Sequence, residues 1–587
     1  MMEPRHARRG RREKVRTNPA RRVVLAVLGG VFATVLAELV MALLRSTLQV
    51  RSVPERVLEW LLLLITPAQM EAVLQRFGFD AKQYALQAVT VATFIVMAAL
   101  GGLVLSRGWS GWKLLGLGVG LWLVLMLVVT PLSGAGVFAV QLVEGTWPTI
   151  AGYLAVTLAY AGGLALARLV LESEPLGAPQ PVLATEPATR RAVVVGLAGT
   201  LVAVGSSYAL QGVRPSGALT AVRVVDPAEP EPVQTVGPNV ASEPNAPVEA
   251  ATPTTEPLAE PRPARALKRD KDGAILASGR RKGELTDLIT QNDDFYIVTK
   301  NAGGDPVLRS ETWRLRIDGE VARPIELDYA SLRKLPAVEV TKTLECISNF
   351  AAKCELAPYG CDLISTAQWK GVRVADLLDL AGGARPTATS LSILAADEYT
   401  SGLPMEVALN PDTLLVYEMN GEVLPREHGY PARLLVPGRY GMKDAKWIVA
   451  LRPQAAEFVD WYGQRNWSKD ALVKPMTRID VPMPGASLAP GEYNIAGVAY
   501  TGDRGLARVE FSTDDGETWH PAELVEPPVG RDAWVRWIGR FTLPPGAQLS
   551  LRSRVTDGAG TPQAKEFSLP QPDGSAGWPT VPVSASS

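Results

Sequence analysis

Two stretches decide how this chain is read: Thr343-Leu344-Glu345-Cys346-Ile347-Ser348-Asn349, and His428-Gly429-Tyr430-Pro431-Ala432-Arg433 about eighty residues later. Val338 to Leu344 alternates as a strand does, and a polar, irregular stretch follows it. Cys346 therefore stands at a strand end, where a thiolate can be held rigidly while facing a cleft, as a soft metal ligand must be. One cysteine alone reads as a buried structural thiol. The donors downstream, His428, Arg433 and Lys446, in a chain with only three histidines, argue for more.

The chain has 587 residues, a length for which three or four domains are the prior. Its formal net charge of −1 shows no global bias toward nucleic acid. That average conceals segregation, because apolar runs dominate the first 210 residues and ordinary globular composition the rest. All three cysteines fall between Cys346 and Cys361, so this is no disulfide scaffold.

Residues 1–22 form a basic tail, with nine Lys/Arg against two Glu, directly before an apolar run. Under the positive-inside rule such a tail stays cytoplasmic. Five stretches reach the roughly 20 residues that a hydrocarbon core demands, at about 23–44, 83–106, 112–131, 149–171 and 192–209. They predict an all-α transmembrane bundle over 23–210, with Leu58 to Ile65 too short to span and lying in the interface. Five crossings from an inside start put the C-terminus outside. Arg107, Lys113 and Arg190-Arg191 then fall in cytoplasmic loops. No span contains a histidine and no C-x-x-C-H occurs, so no haem is expected in this chain. Glu38 and Glu144 read either as helix-interface residues or as marks of a polar pathway. The bundle is expected to act as a lipid anchor and docking surface.

Residues 211–284 form a Pro-, Ala- and Glu-rich linker, whose composition buries too little apolar surface to offset ordering entropy. Beyond it, Trp313 to Val321 alternates as a strand, Phe295 to Val298 reads as another, and Tyr329 to Leu335 and Val374 to Ala381 read as short helices. Strands mixed with short helices predict an α+β domain over 285–475. From 476 to 570, strands at Tyr493 to Tyr500, Leu506 to Ser512, Trp534 to Leu543 and Leu549 to Thr556 predict an immunoglobulin-like β-sandwich. Asp515-Gly516 marks a hairpin turn. Residues 571–587 read as a disordered tail.

Taken in order, TLECISN, then LISTAQWKGVRVADLL (Leu363 to Leu378), DEYTSGLP (Asp397 to Pro404) and YEMNGEVLPREHGYPARLLVPGRYGMKDAKW (Tyr417 to Trp447) resemble the molybdopterin-binding core of the sulfite oxidase family. The resemblance covers roughly 285–475, and a weaker one extends over the sandwich, which in the family often mediates dimers. It implies a mononuclear molybdenum–molybdopterin cofactor with Cys346 as the protein's metal ligand. It further implies pterin contacts from Asp293, Tyr296, Ile297, Asp397 and His428. The pterin phosphate would be held by Arg433, Lys446 and the Asp444-Ala445 backbone, since a guanidinium offers a bidentate fork and an ammonium a point charge.

Two departures from the family pattern bear on the substrate. Phe350-Ala351-Ala352 follows Asn349 where the animal and plant enzymes carry an arginine. Trp467 falls where they place a tyrosine beside the metal, which makes it the catalytic candidate here. Lys353, Arg439, Lys443 and Arg465 are the cations available to replace the missing charge.

The expected enzyme is a membrane-anchored oxidoreductase outside the cytoplasmic membrane of a bacterium, working by oxo transfer on a small oxoanion. The alternatives are an S- or N-oxide reductase on the same cofactor and a non-catalytic binding protein that kept the fold. Electrons would pass to a separate carrier, such as a cytochrome or a quinone-linked protein, and a homodimer is the expected assembly. Because the family inserts its cofactor in the cytoplasm, Thr189-Arg190-Arg191-Ala192-Val193-Val194 is read as an internal twin-arginine export signal rather than ordinary juxtamembrane arginines. In an external compartment Cys354 and Cys361 are expected to pair, for about 2–3 kcal/mol in the chain-entropy account. Two free thiols or a second metal contact are the alternatives.

Overall fold

The computed structural model describes residues 19–65, 69, 72–73, 76–77, 81–142, 145–172, 234–235, 261, 283–356 and 359–586. The chain divides into two compact units, one built on the N-terminal helices and the other carrying everything from residue 283 onward.

In the first unit, Val23–Leu48, Ala81–Ser106, Gly111–Leu132 and Thr146–Leu169 are helices long and apolar enough to cross a membrane. The third changes to a wider π-helical turn over Leu125–Val129. Small residues let these helices approach at backbone distance. A Cβ on Gly30 would stand 2.2 Å from the Ala98 carbonyl oxygen, and one on Gly163 would stand 2.7 Å from the Ala33 Cα. The apolar stretch from Leu58 is the end of a separate helix, Val53–Leu61. Its start is a capping box: the Ser52 N–H donates to Glu55 Oε2 (2.8 Å) and the Glu55 N–H to Ser52 Oγ (3.4 Å). Arg51 pairs with Glu59 at 2.8 Å, and fully buried Arg56 donates from Nε to the Tyr153 hydroxyl at 2.7 Å. The fifth expected span, Arg190-Arg191, Glu144 and most of the basic tail and linker lie outside the described residues.

In the second unit, the α+β part holds eleven strands among the described residues. These are β1 (Gln234–Thr235), β2 (Arg314–Ile317), β3 (Ile325–Asp328), β4 (Val338–Glu345), β5 (Ile364–Arg373), β6 (Ser390–Ala395), β7 (Thr400–Pro404), β8 (Leu414–Met419), β9 (Glu422–Val423), β10 (Arg433–Leu435) and β11 (Ile448–Gln454). One sheet runs β1-β3-β2-β11-β6-β7; the other runs β10-β8-β5-β4, with β9 paired to β8. The expected helices form over Tyr329–Lys334 and Val374–Leu380, the first capped by the Asp328 carboxylate accepting from the Ser331 N–H at 2.7 Å. Phe295 to Val298 joins no sheet, a correction to the expected strand. Phe295 and Tyr296 are buried by their rings instead, and the Tyr296 N–H donates to the Ser365 hydroxyl at 3.3 Å.

The C-terminal part consists of β12 (Met476–Val481), β13 (Ala486–Leu488), β14 (Gly491–Tyr500), β15 (Leu506–Ser512), β16 (His520–Pro521), β17 (Glu523–Leu524), β18 (Val535–Leu543), β19 (Gln548–Asp557) and β20 (Thr580–Ala585). Two sheets, β12-β14-β18-β17 and β13-β20-β19-β15-β16, share a core that includes Ile479, Ile495, Trp537, Val509, Leu551 and Val583. Asp515 and Gly516 both take positive φ (62° and 91°) in the hairpin between β15 and β16.

The tail from 571 corrects the sequence expectation. β20 pairs with both β19 and β13, because the alternation Thr-Val-Pro-Val turns Val581 and Val583 into the core. Replacing Val583 by Ala removes two buried methyl groups and should lower stability by about 2 kcal/mol. The effect should be read as a shifted urea midpoint at unchanged slope, with Ser584→Ala close to neutral.

Candidate active site

Strand β4 delivers Cys346. It is paired along its length with β5, from Val338 opposite Gly371 to Glu345 opposite Ile364. Just past the pairing, the Cys346 N–H donates to the Leu363 carbonyl at 2.9 Å, and the chain turns with the Asn349 N–H on the Cys346 carbonyl at 2.8 Å. The Asn349 side chain locks this turn from both ends, accepting from the Leu363 N–H (3.0 Å) and donating to Glu345 Oε1 (2.9 Å). Cys346 is 6% exposed and is the free cysteine. Burial pushes its thiol up, and hydrogen bonds from Ser348 oppose that shift. Cys354 and Cys361 are joined in a disulfide, closing the loop that follows.

Cys346 lies in the wall of a cavity that opens to solvent. Phe295 to Lys300 form one side. The segment Gly441-Met442, Asp444 to Trp447 forms another, and Asp397, Tyr399, Glu427, His428, Arg433 and Tyr462 complete it. The cavity therefore brings together Cys346 with Tyr296, Ile297, Asp397, His428, Arg433, Asp444, Ala445 and Lys446. Asp293 is not in its lining.

The polar groups are held before any ligand arrives. His428 is buried and donates from Nε2 to the Asn292 carbonyl (3.0 Å), which places the proton of the neutral ring on Nε2. Burial and the neighbouring Arg433 hold its pKa down near 3. Arg433 spends Nη1 on the His428 carbonyl (3.0 Å) and Nη2 on the Asp444 carbonyl (3.1 Å), with Trp369 stacked 5.2 Å from its guanidinium. Burial lifts the Asp444 carboxyl to about 6 in spite of Lys342 and Arg433 nearby. The Lys446 ammonium donates to the Glu427 carbonyl (2.9 Å) over the Trp447 ring, and burial lowers its pKa. Asp397 accepts from Asn301 Nδ2 (3.0 Å) and from the Tyr399 N–H (3.1 Å).

Two glycines set the backbone spacing. At Gly441 a Cβ would stand 2.9 Å from the Tyr296 hydroxyl, and at Gly429, with φ 118°, it would press on Arg433 and Lys446 at 3.0 and 3.1 Å.

The aromatic at the Cys346 end is a second correction. Tyr462, not Trp467, lines the cavity. Trp467 stands behind it edge-on, at 5.8 Å and 88°, because the chain turns back so that the Trp467 N–H reaches the Tyr462 carbonyl at 3.2 Å. Burial and Cys346 push the Tyr462 phenol up, so it stays protonated. Tyr399 and Met442 are the other neighbours that linear reading passed over, joined by a hydrogen bond from the Tyr399 hydroxyl to the Met442 carbonyl.

The four cations considered as charge replacements are engaged away from the cavity lining. Lys443 pairs with Asp460, Arg439 donates to the Asp470 carbonyl, Arg465 stacks 3.5 Å over Trp461, and Lys353 sits 4.7 Å over Phe567. Phe350 likewise turns toward Tyr359 and Phe567.

Residues 302–462 match the family model described as the oxidoreductase molybdopterin binding domain, and 469–538 match the Mo-co oxidoreductase dimerisation domain. Sulfite oxidase of Gallus gallus is 32% identical over 308 residues, covering 46% of this chain and 67% of that one. The chain belongs to the sulfite oxidase family. It is similar also to sulfite oxidase of Arabidopsis thaliana, at 28% identity over 45% of this chain and 77% of that protein. The solved structure of the sulfane dehydrogenase SoxCD from Paracoccus pantotrophus superposes with a TM-score of 0.44 at 26% identity, covering 48% of this chain and 76% of that one. As a member of the sulfite oxidase family, this is a molybdopterin-dependent oxidoreductase.

The cavity suits the family's molybdenum–molybdopterin group on its own chemistry. It offers one soft sulfur donor. Two buried polar atoms in its wall, Arg433 Nε and Asp444 Oδ2, have no hydrogen-bond partner among the described residues.

The low pKa of His428 gives a testable sign. The unfolded chain protonates this imidazole near 6.5, the folded protein only near 3. Its contribution is therefore full above 6.5 and is lost as pH falls toward 3. His428→Gln should flatten the loss of stability between those limits, measured as urea midpoint against pH.

Proposed function

We propose that the chain is a molybdenum oxidoreductase of oxygen-atom transfer in which Cys346 is the protein's metal ligand. The observation that carries this reading is a rigidly held, buried thiol in one wall of a cavity whose other walls gather Arg433, Lys446 and His428. The bound cofactor supplies two-electron redox chemistry coupled to transfer of an oxygen atom.

The residues divide the work. Arg433, with its free Nε, and Lys446 hold the pterin phosphate by charge and hydrogen bonding, with the Asp444-Ala445 backbone beside them. His428, Asp397, Tyr296 and Ile297 position the pterin, and Gly441 lets the Tyr296 hydroxyl lie close to the backbone. Tyr462 presents a protonated hydroxyl at the Cys346 end.

Sulfite oxidation is the reading that the relatives support. S-oxide reduction on the same site is the second reading, favoured by the lining at the Cys346 end: Leu344, Tyr399, Met442 and Tyr462 give hydroxyls and apolar surface. A sulfite dianion needs cationic partners.

The rest of the proposal concerns location. The four apolar helices, together with the fifth apolar stretch of the sequence at 192–209, anchor the enzyme in a cytoplasmic membrane with the catalytic part outside, and a separate carrier exchanges electrons one at a time. The two-sheet C-terminal part acts as an immunoglobulin-like dimerisation domain, a reading supported by the matching family model.

Metal and pterin analysis of the purified protein tests the core of this. One molybdenum and one pterin per chain are expected, with Cys346→Ser losing at least tenfold in molybdenum while keeping its unfolding free energy within about 1 kcal/mol of the metal-free parent. Full metal retention in that variant refutes the ligand assignment. Direction is read by mixing: sulfite reducing the oxidised protein supports the first reading, and an S-oxide reoxidising the reduced protein supports the second.

A further inference from the structure

We propose that the buried ion pair Lys443–Asp460 is a positioning device that aims the Tyr462 hydroxyl into the cavity. Lys443 belongs to the same run as the wall residues Gly441, Met442, Asp444, Ala445 and Lys446, yet its own side chain leaves the cavity. Its ammonium lies 2.5 Å from Asp460 Oδ2 and 3.1 Å from the Gly402 carbonyl, and both charged side chains are only 3% exposed.

Asp460 in turn organises the segment that carries Tyr462. Its Oδ1 accepts from the Gly463 N–H at 2.8 Å, its Oδ2 from the Gly402 N–H at 3.1 Å, and its carbonyl from the Gln464 N–H at 3.0 Å. The residues between these bonds are Trp461 and Tyr462, so the carboxylate closes a turn around the phenol. Tyr462 is further wedged by Trp461 (5.0 Å, 76°), Tyr399 (6.0 Å, 76°) and Trp467. Lys443 thus ties the wall that ends at Lys446 to the one that ends at Tyr462. A lysine committed in this way contributes placement and not substrate charge. The desolvation cost of a buried pair can cancel its attraction, and what this pair supplies is fixed geometry.

This rests on the proposed role of the cavity as the reaction site, and the test separates the two. The variant K443M/D460N removes both charges together, so that neither is left buried alone. It is compared with Y462F and with K443M/D460N/Y462F in the full-length holoenzyme. Each is assayed for molybdenum content, near-ultraviolet circular dichroism, and kcat and KM in whichever of the sulfite or S-oxide assays the parent turns over. The pair variant should keep its molybdenum, lose the aromatic dichroism of the Trp461-Tyr462-Trp467 cluster, and fall at least tenfold in kcat with KM within threefold. In the Y462F background the same two substitutions should cost less than twofold in kcat, because residues that act through one group are not additive. K443R should recover at least half of the lost dichroism.

An equal loss with and without Tyr462, or parental dichroism in the pair variant, overturns the proposal. If the parent enzyme turns over neither substrate, the functional reading fails, while the dichroism of the pair variant and of K443R still decides the positioning.

Discussion

The site depends on one amide. Asn349 accepts from the Leu363 backbone and donates to Glu345, so the residues flanking Cys346 are bound to the start of the neighbouring strand and to each other. A metal held by a single protein sulfur tolerates little play in that sulfur, since no second side chain corrects its position. Among the described residues, no group of three His, Cys, Asp or Glu side chains comes together that could hold a metal without help. In the proposed site, the rigidity that a multidentate site obtains from several ligands would come from hydrogen bonds around one.

The cavity is polarised along its length. Arg433, Lys446 and Lys300 are among its lining, whereas the neighbours of Cys346 include Leu344, Met442 and two phenols. One short run, Gly441 to Trp447, serves both characters: its glycine admits the Tyr296 hydroxyl and its Lys446 adds charge. Burial lowers the pKa of Arg433 and Lys446 and raises that of Asp444. A cofactor phosphate would relieve the two cations, whose burial otherwise disfavours their charge.

Much of this was legible in the chain itself, and what was not has physical causes. Cys346 at a strand end, and the cluster from His428 to Lys446, follow from alternation and word order. The spans follow from length alone. The Asp460 to Trp467 stretch is different: it holds three large aromatics in eight residues, and nothing in linear spacing says which one a turn will aim inward. That choice is made by Asp460 hydrogen bonds, so Trp467 was the natural candidate and Tyr462 the residue that lines the cavity. Phe295 to Val298 shows the converse. Its run of aromatic and β-branched residues is real, but the burial of Phe295 and Tyr296 comes from ring packing rather than from a sheet partner. Residues 571–587 are poor in charge and rich in Pro, Gly and Ser, a composition that hides the two valines completing a core.

Strand β4 also has a brace from far along the chain. The Thr343 N–H donates to the Asp532 carbonyl (2.9 Å), Thr343 Oγ1 accepts from the Trp534 N–H (2.8 Å), and the Tyr500 hydroxyl donates to the Thr343 carbonyl (3.1 Å). Trp534 is made 191 residues after Thr343. At typical ribosomal speeds of about 5–20 residues per second, that gap lasts roughly 10–40 s. Throughout that window the nascent polypeptide bears an unshielded nucleophile whose seat is half built, vulnerable to oxidants and stray metals. The seat of Cys346 is thus finished only once Tyr500, Asp532 and Trp534 have been made.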